Sequence, residues 1–266
     1  MPRLPQIQPA AISARLRSLG AAVANFRRGL LDLALPPHCL YCDADFQPRG
    51  NISLCQQCMQ SIAPELPACC SWCGAILPEG LQPSEDCPAC KDFRLKFDTV
   101  FPLGRYDGPL RDVVLRTKRI SGEALSLALG RLLCQRLGER IAAFEPQAVV
   151  PIPMHWARRL VRGMNGPELL AECLGRALRI PVVHTLSRRR YTSSQKDLLP
   201  RERFRNLRGA FALRRGQLRR VKDARLLLVD DILTTGATCS EAANLLKRAG
   251  AAAVAVAVVA RADGAN

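Results

Sequence analysis

One stretch restricts this chain more than any other: Leu226-Leu-Leu-Val229-Asp230-Asp231-Ile232-Leu233-Thr234-Thr235-Gly236-Ala237-Thr238. The run Leu226–Val229 has the length and apolarity of a buried parallel strand. Two adjacent carboxylates close it, and a hydroxyl-rich loop containing glycine follows at once. Thr238-x-x-Glu241 then reads as a capping box, with Leu245, Leu246 and Ala249 as the apolar stripe of a helix and Gly250 as its stop. A second Val-rich strand spans Ala252 to Ala260. The unit is strand, loop, helix, strand, and its loop lies where open α/β sheets bind ligands.

The residue types suggest which ligand. Backbone N–H groups leading into a helix N-terminus cradle phosphate, Gly236 allows close approach, and threonine hydroxyls add donors. Carboxylates would repel that phosphate, so Asp230 and Asp231 suit a sugar diol or a bridging metal. The order resembles the phosphoribosyl-pyrophosphate (PRPP) signature of type I phosphoribosyltransferases. That resemblance implies ribose hydroxyls on Asp230 and Asp231. It implies the 5′-phosphate on Thr234, Thr235, Gly236, Ala237 and Thr238. A response-regulator acid pair, or a helix-capping turn without a ligand, are the rival readings.

Twelve cysteines are present, and eight form four Cys-x-x-Cys pairs: Cys39/Cys42, Cys55/Cys58, Cys70/Cys73 and Cys87/Cys90. Paired knuckles with this spacing point to metal rather than disulfides. Four thiolates make a closed tetrahedral site, so two structural Zn²⁺ ions and a double zinc ribbon are expected. Consecutive pairing assigns the first two pairs to one ion and the last two to the other; interleaved pairing is the alternative. His38, beside Cys39, is a possible substitute ligand. Cys134, Cys173 and Cys239 read as buried free thiols.

The formal charge is +16, from 39 basic and 23 acidic residues, which favours phosphate-bearing partners. The longest apolar run, Gly250–Ala260, is too short for a membrane span, and no secretory signal is evident. The expected compartment is cytoplasmic.

Three segments are expected. Residues 1–35 form a basic amphipathic helical segment, with Ile12, Leu16, Leu19, Val23, Phe26, Leu30 and Leu33 at helical spacing. Residues 36–95 hold the double zinc ribbon. Residues 96–266 hold an α/β domain, a type I phosphoribosyltransferase-like parallel sheet flanked by helices. Within it, a strand is expected around Phe97–Phe101. Two helices follow, one starting with Leu110, Val113 and Val114 and carrying Arg116, Lys118 and Arg119, the other striped by Leu125, Leu129, Leu132, Leu133 and Leu137. Ala148-Val-Val-Pro-Ile-Pro153 is a buried strand running into a basic loop. Pro153, His155, Arg158, Arg159 and Arg162 there could grip a pyrophosphate. A helix is expected from about Pro167 to Leu178.

Residues 185–225 hold fourteen basic and three acidic side chains, with Tyr191, Phe204 and Phe211 interleaved. Arginines mixed with stackable aromatics are what single-stranded nucleic acid uses. Arg188, Arg189, Arg190, Tyr191, Gln195, Lys196 and Arg205 are the candidates. No stretch announces an element that would cover a base.

Taken together, the cysteine ribbon, Val150-Pro-Ile-Pro-Met-His155, Arg158-Arg-Leu-Val-Arg-Gly163, Arg190-Tyr-Thr-Ser-Ser-Gln195, Arg205-Asn-Leu-Arg-Gly-Ala-Phe211 and the Asp-Asp loop come in an order that resembles the ComF family, of the ComFC and GntX type. The family often has Arg-Gly-Phe-Asn-Gln where this chain has Arg162-Gly-Met164-Asn-Gly166. The resemblance implies a PRPP-binding fold, with Mg²⁺ accompanying PRPP, associated with DNA uptake and single-stranded DNA in natural transformation. It also implies a DNA-uptake helicase as a partner. The alternative is an active phosphoribosyltransferase acting on a base or amine.

Overall fold

The computed structural model describes residues 37–47, 50–77, 87–90, 95–119, 121–154, 165–190 and 200–262. The expected helical segment 1–35 lies outside these, as do His155, Arg158, Arg159, Arg162, Tyr191, Gln195 and Lys196. Among the described residues no helix is long and apolar enough to cross a membrane.

The main sheet has four parallel strands: β1 (Thr99–Arg105), β2 (Ala148–Pro151), β5 (Arg225–Leu233) and β6 (Ala253–Arg261), in the order β1-β6-β5-β2. A parallel bridge from Val149 to Val182 extends the edge beyond β2. Leu226–Val229 are buried, as the apolar run requires, and β5 continues through the acid pair to Leu233. Alternate residues serve opposite faces, as strand geometry dictates. Leu227 and Val229 enter one core cluster, and Leu226 and Leu228 enter the other.

Helices cover both faces. On the first lie α2 (Gly108–Arg116), α3 (Glu123–Ala142) and α4 (Gly166–Leu178), whose apolar stripes Leu110/Val113/Val114, Leu125/Leu129/Leu132/Leu133 and Leu170/Leu174 enter the first cluster. On the second lies α7 (Ala237–Arg248), through Cys239, Ala242, Ala243 and Leu246. Small side chains let α7 sit close to the sheet.

Two differences from sequence expectation stand out. The expected capping box does not form: the N-cap is Gly236, left-handed at φ 79°, with no side-chain cap. The Glu241 carboxylate accepts instead from Gly209 N–H at 2.7 Å. It ties the helix to a neighbouring turn, a tertiary partner that local spacing cannot reveal. The second difference is a small antiparallel pair, β3 (Leu186–Arg188) with β4 (Phe211–Leu213), joined through a segment containing α5 (Pro200–Leu207). This is a separate two-stranded layer carrying the basic segment, which three-residue strands among arginines did not announce. A short helix, α6 (Leu218–Val221), leads from it back into β5.

The first ribbon is no appendage. Cys39, Leu54, Cys58 and Ile62 share the first core cluster with Val113, Leu132, Val229 and Ala257. Its helix α1 (Gln56–Ile62) is capped by the Cys55 thiol, which accepts from Cys58 N–H at 3.4 Å. Arg116 donates to Tyr41 carbonyl at 2.9 Å and stacks over the Tyr41 ring, clamping the knuckle to α2.

Candidate ligand site and metal centres

The eight paired cysteines gather into two tetrads, Cys39/Cys42/Cys55/Cys58 and Cys70/Cys73/Cys87/Cys90, with all four sulfurs of each within 4.8 Å of one another. Pairing is therefore consecutive. Tetrahedral thiolates about 2.3 Å from zinc stand about 3.8 Å apart. The separations Cys42–Cys55, Cys70–Cys90 and Cys73–Cys87 are 3.8, 3.9 and 3.7 Å, so the cages fit the ion. Burial opposes the thiolate at Cys58, Cys73 and Cys90, while at Cys39 and Cys70 backbone N–H groups favour it against burial. Burial opposes ionisation at Cys39, but N–H groups of Cys42, Cys55 and Tyr41 outweigh it and bring that thiol to about 7. Burial pushes Cys73 up to about 11. A divalent cation resolves this conflict by making all four sulfurs anionic ligands. Both cages are closed, so the metal role is structural. His38 stands outside them, paired with Asp45 at 2.9 Å. Protein purified without chelator is expected to contain two zinc ions per chain by elemental analysis; near-zero metal in folded protein would contradict the ribbon assignment.

The candidate ligand site lies at the C-terminal ends of β5 and β2. Pro151 is in register with Val229, and Ile152 N–H donates to Val229 carbonyl at 2.9 Å. This brings Pro153 to the level of the acid pair on the adjacent strand. Asp230 and Asp231 are half-buried. Asp231 N–H donates to Asp230 Oδ1 at 2.9 Å, and Ile232 N–H to Asp231 Oδ1 at 2.8 Å. Each carboxylate is thus aimed by the next backbone amide. Lys118, beyond α2, reaches Asp231 Oδ2 at 3.6 Å. Sequence reading had this lysine only as one charge on a helix; no local signal links it to a carboxylate so distant in the chain.

Thr234 and Thr235 are half-buried and turn through Gly236 into α7. Ala237 N–H lies 3.4 Å from Thr235 Oγ1. Gly236 suits the left-handed φ, and a Cβ there would stand 3.0 Å from Leu95 Cδ2, a tight contact that the leucine would have to relieve. A tight loop at a helix N-terminus with two hydroxyls can hold a phosphate, and the acid pair can hold vicinal hydroxyls.

Burial, and then the charge of Asp231, raise the Asp230 carboxyl well above the usual carboxylate range; the Asp231 amide and the Arg188 charge oppose this. Burial, and then Asp230, likewise push the Cys239 thiol up, 3.9 Å from Asp230 Oδ2. A raised acid binds a proton in the folded chain that the unfolded chain has released, so folding stability falls as pH rises from about 4 through the raised value. Asp230→Asn is therefore expected to melt higher than wild type near about pH 8, the gap closing toward about pH 4. Equal melting across that range would contradict the assigned cost.

Arg188 is half-buried at the end of β3, its guanidinium 5.5 Å from the Phe211 ring centre, and its charge is felt at Asp230. Arg189, Arg190 and Arg205 are exposed, as are Arg208, Arg215, Arg219 and Arg220. Phe211 is not the stacking face its place among arginines suggested. It is 6% exposed, a core residue of the second cluster, and Phe204 packs against the same cluster. Arg225 also leaves the basic face, donating twice to Phe144 carbonyl and stacking on its ring. Cys239 is buried as expected, whereas Cys134 and Cys173 are half-buried.

This parallel sheet, with an acid pair and hydroxyl loop at the C-terminal end of an interior strand and two cysteine cages before it, defines a phosphoribosyltransferase-type domain joined to a double zinc ribbon. A model of the phosphoribosyl transferase domain matches residues 122–265, and one of the double zinc ribbon domain matches residues 30–91. The chain belongs to the ComF family. It is 30% identical over 228 residues to competence protein F of Haemophilus influenzae, covering 84% of this chain and 96% of that protein. DNA utilization protein YhgH of Salmonella typhi is 31% identical over the same coverage. Competence protein ComFC of Bacillus subtilis is 23% identical, covering 81% of this chain and 90% of that one.

Proposed function

We propose that the chain is a cytoplasmic PRPP-binding protein that handles single-stranded DNA during DNA uptake. The observation that carries the reading is the acid pair and hydroxyl loop together at one strand end. Asp230 and Asp231 take the ribose hydroxyls. Thr234 to Thr238 take the 5′-phosphate. Pro153 and the basic loop bearing His155, Arg158, Arg159 and Arg162 take the pyrophosphate, accompanied by Mg²⁺. Lys118 leaves Asp231 when a sugar arrives, which keeps that carboxylate compensated beforehand. Names borne by relatives, competence protein and DNA utilization protein, support the link to DNA. Free thiolate cages suit a reducing compartment.

Single strands would lie on exposed arginines flanking the two-stranded layer, Arg189 and Arg190 after β3 and Arg205 on α5, with Tyr191, Gln195 and Lys196 from the same segment. Binding then rests on phosphate contacts more than on the buried phenylalanines. Affinity is expected to show little sequence preference and to fall steeply with salt, with log K against log[salt] sloping by ~0.7 for each phosphate neutralised. Arg189→Ala with Arg190→Ala should flatten the slope by about one to two contacts. Fluorescence anisotropy at several salt concentrations reads this. No binding of single strands at low salt, with pyrophosphate released from PRPP by some base, would instead favour the glycosyltransferase.

A further inference from the structure

The Thr234–Thr238 loop is tied to the second ribbon through Arg261 and through the segment that leaves that ribbon. Arg261, the last residue of β6, is 5% exposed. Its Nε donates to Cys73 carbonyl at 2.6 Å, and its Nη1 reaches Leu233 carbonyl at 3.5 Å. One guanidinium thus holds a metal knuckle and the root of the loop, a use of its rigid fork that a lysine does not reproduce. The chain leaving the ribbon makes a second connection. Leu95 packs on the ribbon's own core of Cys70, Cys73, Cys87 and Cys90, and also stands 3.0 Å from where a Cβ on Gly236 would be. A third is Lys96 N–H, which donates to Ser240 Oγ at 3.1 Å in the first turn of α7. By contrast, the first ribbon's buried residues enter the other face of the sheet.

These contacts have a thermodynamic consequence. Zinc fixes the Cys70–Cys73 knuckle and the Cys87/Cys90 pair. Without it, Arg261 loses a fixed acceptor and Leu95 loses its seat, so the loop loses its backing. Any ligand that needs the loop in its folded form must then favour the metal-bound ribbon by the same factor. We propose that the second zinc ribbon and the anion loop are one coupled unit, in which Arg261 and Leu95 are positioning residues, so that zinc in that ribbon and PRPP at the loop each strengthen the binding of the other. This rests on the reading of the loop as the 5′-phosphate site.

The test uses the full chain loaded with two zinc ions. A competing chelator is titrated to equilibrium with and without saturating PRPP in excess Mg²⁺, and calorimetry establishes separately that PRPP is bound. The zinc of the second ribbon, whose loss leaves the main sheet folded, should become harder to remove by at least about five-fold, the low end of usual coupling between sites. Arg261→Met should abolish that protection, and Arg261→Lys should keep only part of it. Leu95→Ala should weaken it too, and it provides the reading if Arg261→Met does not fold. PRPP bound calorimetrically with both zinc ions as easily removed as before would overturn the coupling and leave the loop assignment standing. Absence of any PRPP binding would overturn the loop assignment, and the coupling with it.

Discussion

Cys58→Ser is expected to unfold most of the chain rather than fray its ribbon. Cys58 is 6% exposed, and its neighbours Leu54 and Ile62 are 1% and 0% exposed in a cluster that also contains Val113, Leu132 and Val229. Opening the first cage therefore opens one whole face of the main sheet. It also frees Tyr41, whose carbonyl and ring hold Arg116. Structural zinc contributes about 10–16 kcal/mol in small peptides. Folded domains keep only about 5–15 kcal/mol in total, so one lost site is enough to exhaust that margin. Circular dichroism should show loss of α/β signal for Cys58→Ser, or after chelation of wild type, in a single transition. Cys90→Ser should be milder, because the second cage closes on a small core of its own. A Cys58→Ser protein with wild-type melting would show that the first ribbon is dispensable to the fold.

The parts of this architecture visible beforehand are those encoded locally. Leu226–Val229 announces a buried strand because four apolar residues in a row can satisfy both faces of a covered sheet. The cysteine knuckles announce metal because their spacing alone sets ligand geometry. What escaped depends on partners far along the chain. Glu241 has the spacing of a capping residue, yet it serves the Gly209 amide. Phe211 looks like a stacking residue among arginines, yet Arg188 lies over it and the second core encloses it. Lys118 on Asp231 and Arg261 between Cys73 and Leu233 are single cations in a chain with 39 basic residues. Nothing local separates them from a solvated charge. The β3–β4 layer escaped for a similar reason. Its strands are three residues each, too short for alternation to register, and only their mutual pairing makes them strands.

That layer bears on function. Its six paired residues are buried or half-buried, and the exposed arginines Arg189, Arg190, Arg205 and Arg208 stand on the segments flanking it. Those flanking arginines are the groups on which the proposed single-strand contact depends.

In the proposed function the loop from Asp230 to Thr238 binds a phosphorylated ribose through divided labour, carboxylates on the sugar and hydroxyls on the phosphate. Calorimetric titration of PRPP with Mg²⁺, and separately of inorganic phosphate, into wild type, Asp231→Ala and Thr235→Ala tests it most directly. Asp231→Ala removes a charged acceptor for hydroxyls, an interaction of about 1.5–3 kcal/mol, so PRPP affinity should fall by about ten- to a hundred-fold while phosphate affinity holds or rises. Thr235→Ala removes a neutral donor of about 0.5–1.5 kcal/mol and should weaken both ligands by about two- to ten-fold. Wild-type PRPP affinity in both variants would contradict the claim and reduce the loop to the start of a helix.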